Sequence, residues 1–113
     1  MDMKKTSEIF KSLGEINRLR IALLLSERPM CVCEINEVLH IALSTISAHL
    51  KHLKYAGIIV DEKEGRWITY RLSENPFIQK LIKDIKEELK DDEQFLSDKE
   101  KASNVTRETI TKC

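Results

Sequence analysis

A mainly helical chain carrying one β-hairpin is predicted by three observations. Up to Tyr55 the apolar residues recur at the three- and four-residue spacing of helices. From Ile58 to Leu72 the period changes to a β-branched and aromatic run, interrupted at Glu64-Gly65. At Asn75-Pro76 helical spacing returns. The 113 residues suit one domain, and three Gly and two Pro leave most of the chain regular.

Each element follows from local residues. A first helix is expected over residues 4–13, with Ile9, Phe10 and Leu13 on one face and Gly14 at its end. A second should span residues 16–27, with Leu19, Leu23 and Leu24 at core spacing and Pro29 beyond it. A short helix around residues 33–39 turns Ile35, Val38 and Leu39 inward. After His40-Ile41-Ala42, a fourth helix runs over residues 43–55 with Ile46, Leu50 and Leu53 as one stripe, and Gly57 closes it. Ile58-Ile59-Val60 opens the hairpin, Gly65 supplies a positive φ at its turn, and Trp67 to Leu72 forms the return strand. Asn75 caps a last long helix striped by Ile78, Ile82, Ile85 and Leu89. The chain turns polar after Asp91. Residues 1–96 are therefore assigned to one folded domain and residues 97–113 to a flexible tail.

Composition excludes several classes. With 42% hydrophobic and 34% charged residues, the chain is neither disordered nor membrane-spanning. The start, Met1-Asp2-Met3-Lys4-Lys5, has no apolar stretch behind it, so a cytoplasmic protein is expected. Nineteen basic and nineteen acidic residues cancel, which argues against a non-specific nucleic-acid coat but not against a sequence-specific binder. No carboxylate pair or Ser/His/Asp set suggests catalysis, so no enzyme and no obligatory cofactor are expected.

Two short helices joined by a tight turn and followed by a hairpin make a winged helix-turn-helix, an α+β fold. The helix over residues 43–55 is its reader. Opposite the stripe stand Ser44, Thr45, Ala48, Lys51, His52 and Tyr55, and no acid occurs from Ser44 to Tyr55. Short side chains, Ser47 among them, admit the helix to a major groove, where hydroxyls bond base edges and a methyl meets thymine. Lys51 and His52 would reach phosphates, and Lys63 and Arg66 beside the hairpin turn would hold phosphate or a minor groove. A merely solvated helix face would look the same residue by residue; the order and spacing together favour double-stranded DNA.

Ser47-Ala48-His49-Leu50-Lys51-His52-Leu53-Lys54-Tyr55-Ala56-Gly57-Ile58 resembles the reader-helix signature of the ArsR/SmtB family of metal-responsive repressors. Leu13 to Ile21 resembles that family's entry to its second helix, and Gly65-Arg66 with Tyr70-Arg71-Leu72 resembles its wing. The resemblance implies a homodimer on a two-fold-symmetric operator, joined through the first and last helices. The stripes at Ile9, Phe10, Leu13 and at Ile78, Ile82, Ile85 agree with that. Ala42 stands where the family usually has a Ser helix cap, with Ser44 as a substitute cap.

Three cysteines, an odd number, do not make a disulfide scaffold. Cys31 and Cys33 lie at the start of the short helix, where two thiols are soft ligands or buried filler. A helix N-terminus is expected to lower a thiol pKa. On a regular helix, residues i and i+2 point roughly 200° apart, so one ion could take both sulfurs only by unwinding that end. Cys31-Val32-Cys33-Glu34-Ile35 resembles the cysteine box of the family's arsenic, antimony, cadmium and lead sensors. Many arsenic sensors add a third cysteine at the position held here by Asn36, and the zinc sensors use histidines on the last helix, whereas no His follows His52. Cys113 is then either the third sulfur or an incidental terminal thiol. The resemblance implies a repressor released by As(III) or Sb(III); the alternatives are cadmium or lead, or thiol oxidation.

Overall fold

The computed structural model describes residues 1–105. Its elements are α1 (Met3–Leu13), α2 (Ile16–Glu27), α3 (Val32–Leu39), α4 (Leu43–Tyr55), β1 (Ile59–Glu64), β2 (Trp67–Leu72), α5 (Pro76–Glu88) and α6 (Glu93–Ser103). The winged helix-turn-helix is therefore present, with α3 and α4 as the helix pair and the antiparallel β1–β2 hairpin as the wing.

Caps explain the boundaries. Asp2 accepts from the Lys5 N–H at 2.8 Å and starts α1. Glu15 accepts from the Asn17 and Arg18 N–H groups at 3.1 and 2.9 Å and starts α2. Arg18 reaches back, its Nε donating to the Ser12 carbonyl at 2.8 Å, so the two helices hold each other's loose ends. Asn75 caps α5 through the Phe77 N–H at 2.9 Å. Gly57, at φ 78°, takes the left-handed turn that ends α4, and Ile58 N–H bonds back to the Leu53 carbonyl at 3.0 Å. In the hairpin, Glu64 pairs with Trp67, so the turn is Gly65-Arg66, one residue later than expected; Gly65 has φ 61°.

The core is built by the predicted stripes. Ile35, Ile46, Leu50, Leu53, Ile78 and Ile82 are all buried against Ile21 and Ile58. Full burial of each such side chain contributes about 1.5–3 kcal/mol. Two stripes need correction, because Ile9, Leu13, Ile78 and Ile82 pack inside their own chain. What remains for another surface is Phe10, 54% exposed, and the half-buried Leu81, Ile85 and Leu89.

A sixth helix corrects the expected tail. Asp92 caps α6 through the Phe95 N–H at 2.9 Å, and the helix runs across residue 97 to Ser103. Its inward stripe is Phe95, Asp98 and Ala102, an apolar pattern broken by one acid. That acid is buried because Arg20 receives it, 78 residues away in sequence. Cys113 lies outside the described residues. No helix among the described residues is long and apolar enough to cross a membrane.

α4 begins without a side-chain cap. Its N-cap is Ala42, and Ser44 does not take that place. Ala42→Ser is expected to stabilise the protein by about 1 kcal/mol, which thermal unfolding should read as a rise of about 5 °C. A fall would mean that the position cannot seat a hydroxyl.

Candidate functional site

Between the reader helix and the cysteines lies one turn. His40 ends α3 at φ 53°, and its N–H bonds the Asn36 carbonyl at 2.8 Å. The Asn36 amide oxygen then accepts the Ile41 N–H at 3.1 Å. Asn36 thus fixes the turn that sets α4 against α3.

The outward face of α4 carries Ser44, Thr45, Ser47, Ala48, Lys51 and Tyr55, all exposed. In His52, Nδ1 lies 3.0 Å from the Oγ of fully buried Ser12 in α1, so one ring nitrogen ties α4 to α1. His49 turns toward Glu15, with Nε2 3.6 Å from its carboxylate. Both histidines thus have partners in other elements, which a 100° helical projection could not reveal.

The wing holds Lys63 and Arg66 beside three acids. Each acid is engaged by the protein: Asp61 with Lys54 at 2.9 Å, Glu62 with Arg71 at 3.7 Å and Glu64 with the Thr69 hydroxyl at 2.8 Å. Arg66 lies over the Trp67 ring, 5.7 Å from its centroid. Lys63 and Arg66 are exposed at the hairpin end.

At the cysteine box, Cys31 is the N-cap of α3, in extended backbone at φ −89° and ψ 169°, and Cys33 is the second helical residue. Cys31 therefore lies just before the helix and Cys33 within it, so the opposed directions of i and i+2 on a regular helix do not apply to this pair. Glu34 closes the cap, its Oε1 accepting the Cys31 N–H at 2.9 Å. Arg28 Nη1 donates to the other Glu34 oxygen at 2.8 Å. The segment is also sewn to the wing, since Met30 and Tyr70 exchange backbone bonds at 3.0 and 2.8 Å. The sequence contained the signal for Glu34 in the Cys-x-x-Glu spacing of a capping box; Arg28 and Met30 left none.

The thiol of Cys31 is free and only 3% exposed. Burial pushes its pKa up, and the neighbouring Glu34 carboxylate adds to this; the N–H groups of Glu34 and Cys33 oppose it without prevailing. The expected lowering at a helix N-terminus is thus overturned by desolvation. For Glu34, burial acts upward, but the Cys31 N–H and the Arg28 guanidinium together hold the carboxyl below its ordinary value. Two sulfurs so close in sequence fit a soft ion better than a hard one. No group of three or more His, Cys, Asp or Glu able to hold a metal ion occurs among the described residues. Cys113, the proposed third sulfur, lies outside them.

Residues 16–60, from α2 into the wing, match the family model described as bacterial regulatory protein, arsR family. Over 81 residues the chain is 43% identical to the uncharacterized HTH-type transcriptional regulator MJ1325 of Methanocaldococcus jannaschii, covering 71% of this chain and 90% of that one. The chain belongs to the ArsR family. This ArsR-family chain is also 42% identical over 65 residues to the arsenic resistance transcriptional regulator ArsR1 of Pseudomonas putida, 57% of its own length and 51% of that regulator's. It therefore spans about half of that relative. Among solved structures, Rv0081 of Mycobacterium tuberculosis superposes with a TM-score of 0.67 at 30% identity, over 85% of this chain and 93% of that one. The ArsR family consists of regulators, so the chain is not an enzyme.

Proposed function

We propose that this chain is a cytosolic, homodimeric repressor that binds a two-fold-symmetric DNA operator and leaves it when As(III) or Sb(III) is taken by Cys31 and Cys33. One observation carries the reading: the cysteine box caps the helix that packs directly on the acid-free reader helix. Drawing the Cys31 sulfur toward an ion moves the residue whose N–H Glu34 holds, and α3 loosens at the end bonded to β2 through Met30. Such an ion releases DNA because it favours the loosened arrangement over the duplex-bound one. Trivalent arsenic takes three sulfurs, and the proposed set is Cys31, Cys33 and Cys113. In the dimer, the groove lined by Phe10, Leu13, Leu19, Ile85 and Leu89 between α1 and α5 is covered by the second copy.

Thiol oxidation is the weaker signal, because a buried Cys31 with a raised pKa holds little thiolate. Cadmium and lead suit the same two sulfurs and are separated from arsenic by titration.

The test uses a duplex that the protein itself selects from random sequence. Arsenite, cadmium, zinc and peroxide are titrated in parallel while fluorescence anisotropy follows release. Arsenite should release the wild type, and Cys31→Ser should stay bound throughout, since Ser is a sound N-cap and keeps α3 folded. Cys113→Ser should need more arsenite. Release by zinc alone rejects the two-sulfur site, an unchanged Cys113→Ser curve rejects the third ligand, and failure to bind any duplex at low salt rejects the DNA reading.

A further inference from the structure

Two arginines hold α6 at separate points. In α2, Arg20 Nε and Nη2 each lie 3.0 Å from one oxygen of the Asp98 carboxylate, a two-pronged pair shielded from water. Near the far end of α6, Arg28 Nη2 donates to the Ala102 carbonyl at 3.1 Å and to the Val105 carbonyl. The other arm of Arg28 holds Glu34, which holds the Cys31 N–H. One unbroken set of bonds thus runs from the last turn of α6 to the cap of α3, and the two helices also pack together.

α6 lies against α3 and α2 but buries little apolar side chain there. Phe95 is its one buried apolar side chain, and Leu96 faces water. Lys99 adds an exposed pair with Glu27 at 3.4 Å, of small effect. A helix held chiefly by polar bonds at its edge can lift while the core stays closed.

We infer that α6 is a strap over the cysteine-bearing end of α3, and that its lifting sets the rate at which a soft ion or thiol reagent reaches Cys31. The inference deepens the reading of Cys31 as a sensing thiol and rests on it. Arg20 and Asp98 act as positioning residues: they touch no ion, yet they decide how often the route to one is open.

The test follows Cys31 alone, in full-length protein carrying Cys33→Ser and Cys113→Ser. At fixed pH, 5,5′-dithiobis(2-nitrobenzoate) is added. The Cys31 thiolate attacks the reagent's disulfide, a mixed disulfide forms, and the aryl thiolate that leaves is read by its absorbance. Asp98→Asn should raise the rate constant about tenfold. Arg20→Lys, which keeps the charge and loses the two-pronged geometry, should raise it about threefold. Ile82→Val, a core change in α5 that weakens the whole fold, should leave it within twofold. Rates within twofold of the parent for both strap variants overturn the inference. So does an acceleration by Ile82→Val equal to that of Asp98→Asn, because opening would then be global. Since no DNA is present, a chain that binds no duplex leaves this result standing, and an unchanged rate leaves the DNA reading standing.

Discussion

A glutamate placed at position 48 is expected to weaken duplex binding by at least about 30-fold while the protein stays folded. Ala48 is exposed on α4, in the middle of the face that holds Ser44, Thr45, Ser47 and Lys51. Glu is a good helix former, so α4 itself loses little. In a major groove, however, a carboxylate meets acceptor-rich base edges and the phosphate field, at about 1–3 kcal/mol per half-site. Two half-sites in a dimer give roughly 2–6 kcal/mol, which sets the 30-fold floor. Anisotropy titration measures the loss, and circular dichroism checks the fold. Lys51→Ala gives a contrasting result: a milder loss with the salt dependence shallower by about one unit per protomer. Near-normal affinity in Ala48→Glu would place the duplex on another face.

The largest stability effect is expected at Glu34. Replacing it by Ala leaves the Cys31 N–H buried without its acceptor, at about 1–3 kcal/mol, and takes from Arg28 its carboxylate partner. Arg28 is partly exposed, so the pair itself adds less than about 1 kcal/mol. A total of about 2–3 kcal/mol should lower the melting temperature by about 10–15 °C. Glu34→Gln, which retains an acceptor oxygen, should lose about half as much. The pH dependence has a definite sign. Because the Glu34 carboxyl is held below its ordinary value, its contribution is complete above the unfolded carboxylate pKa and fades as pH falls through the lower folded one. The gap between wild type and Glu34→Ala should narrow below about pH 4. A gap that widens in acid would mean that the carboxylate is not what holds the cap.

The sequence revealed what depends on neighbours in the chain. The limits of α2, α4 and β2 follow from periodicity and breakers, and Ile46, Leu50 and Leu53 proved buried as spaced. The place of the two cysteines at the start of α3 was visible too. What stayed hidden depends on partners distant in sequence. α6 escaped because Asp98 interrupts its apolar stripe, and only Arg20 makes that burial tolerable. The bond of His52 to Ser12 of α1 spans 40 residues and left no trace in the spacing. The raised pKa of Cys31 depends on desolvation, which no residue spacing encodes.

Asn36 has a consequence for how this chain could be re-engineered. It stands three residues after Cys33, where the resemblance of the cysteine box implies a third cysteine in many arsenic sensors, and here both of its oxygens brace the bend before α4. If the chain works as proposed, grip on an ion and aim of the reader compete for that single residue. A thiol grafted there would complete a three-sulfur claw on one segment and unbrace the elbow that points α4. Tighter capture would come with a looser hold on the operator.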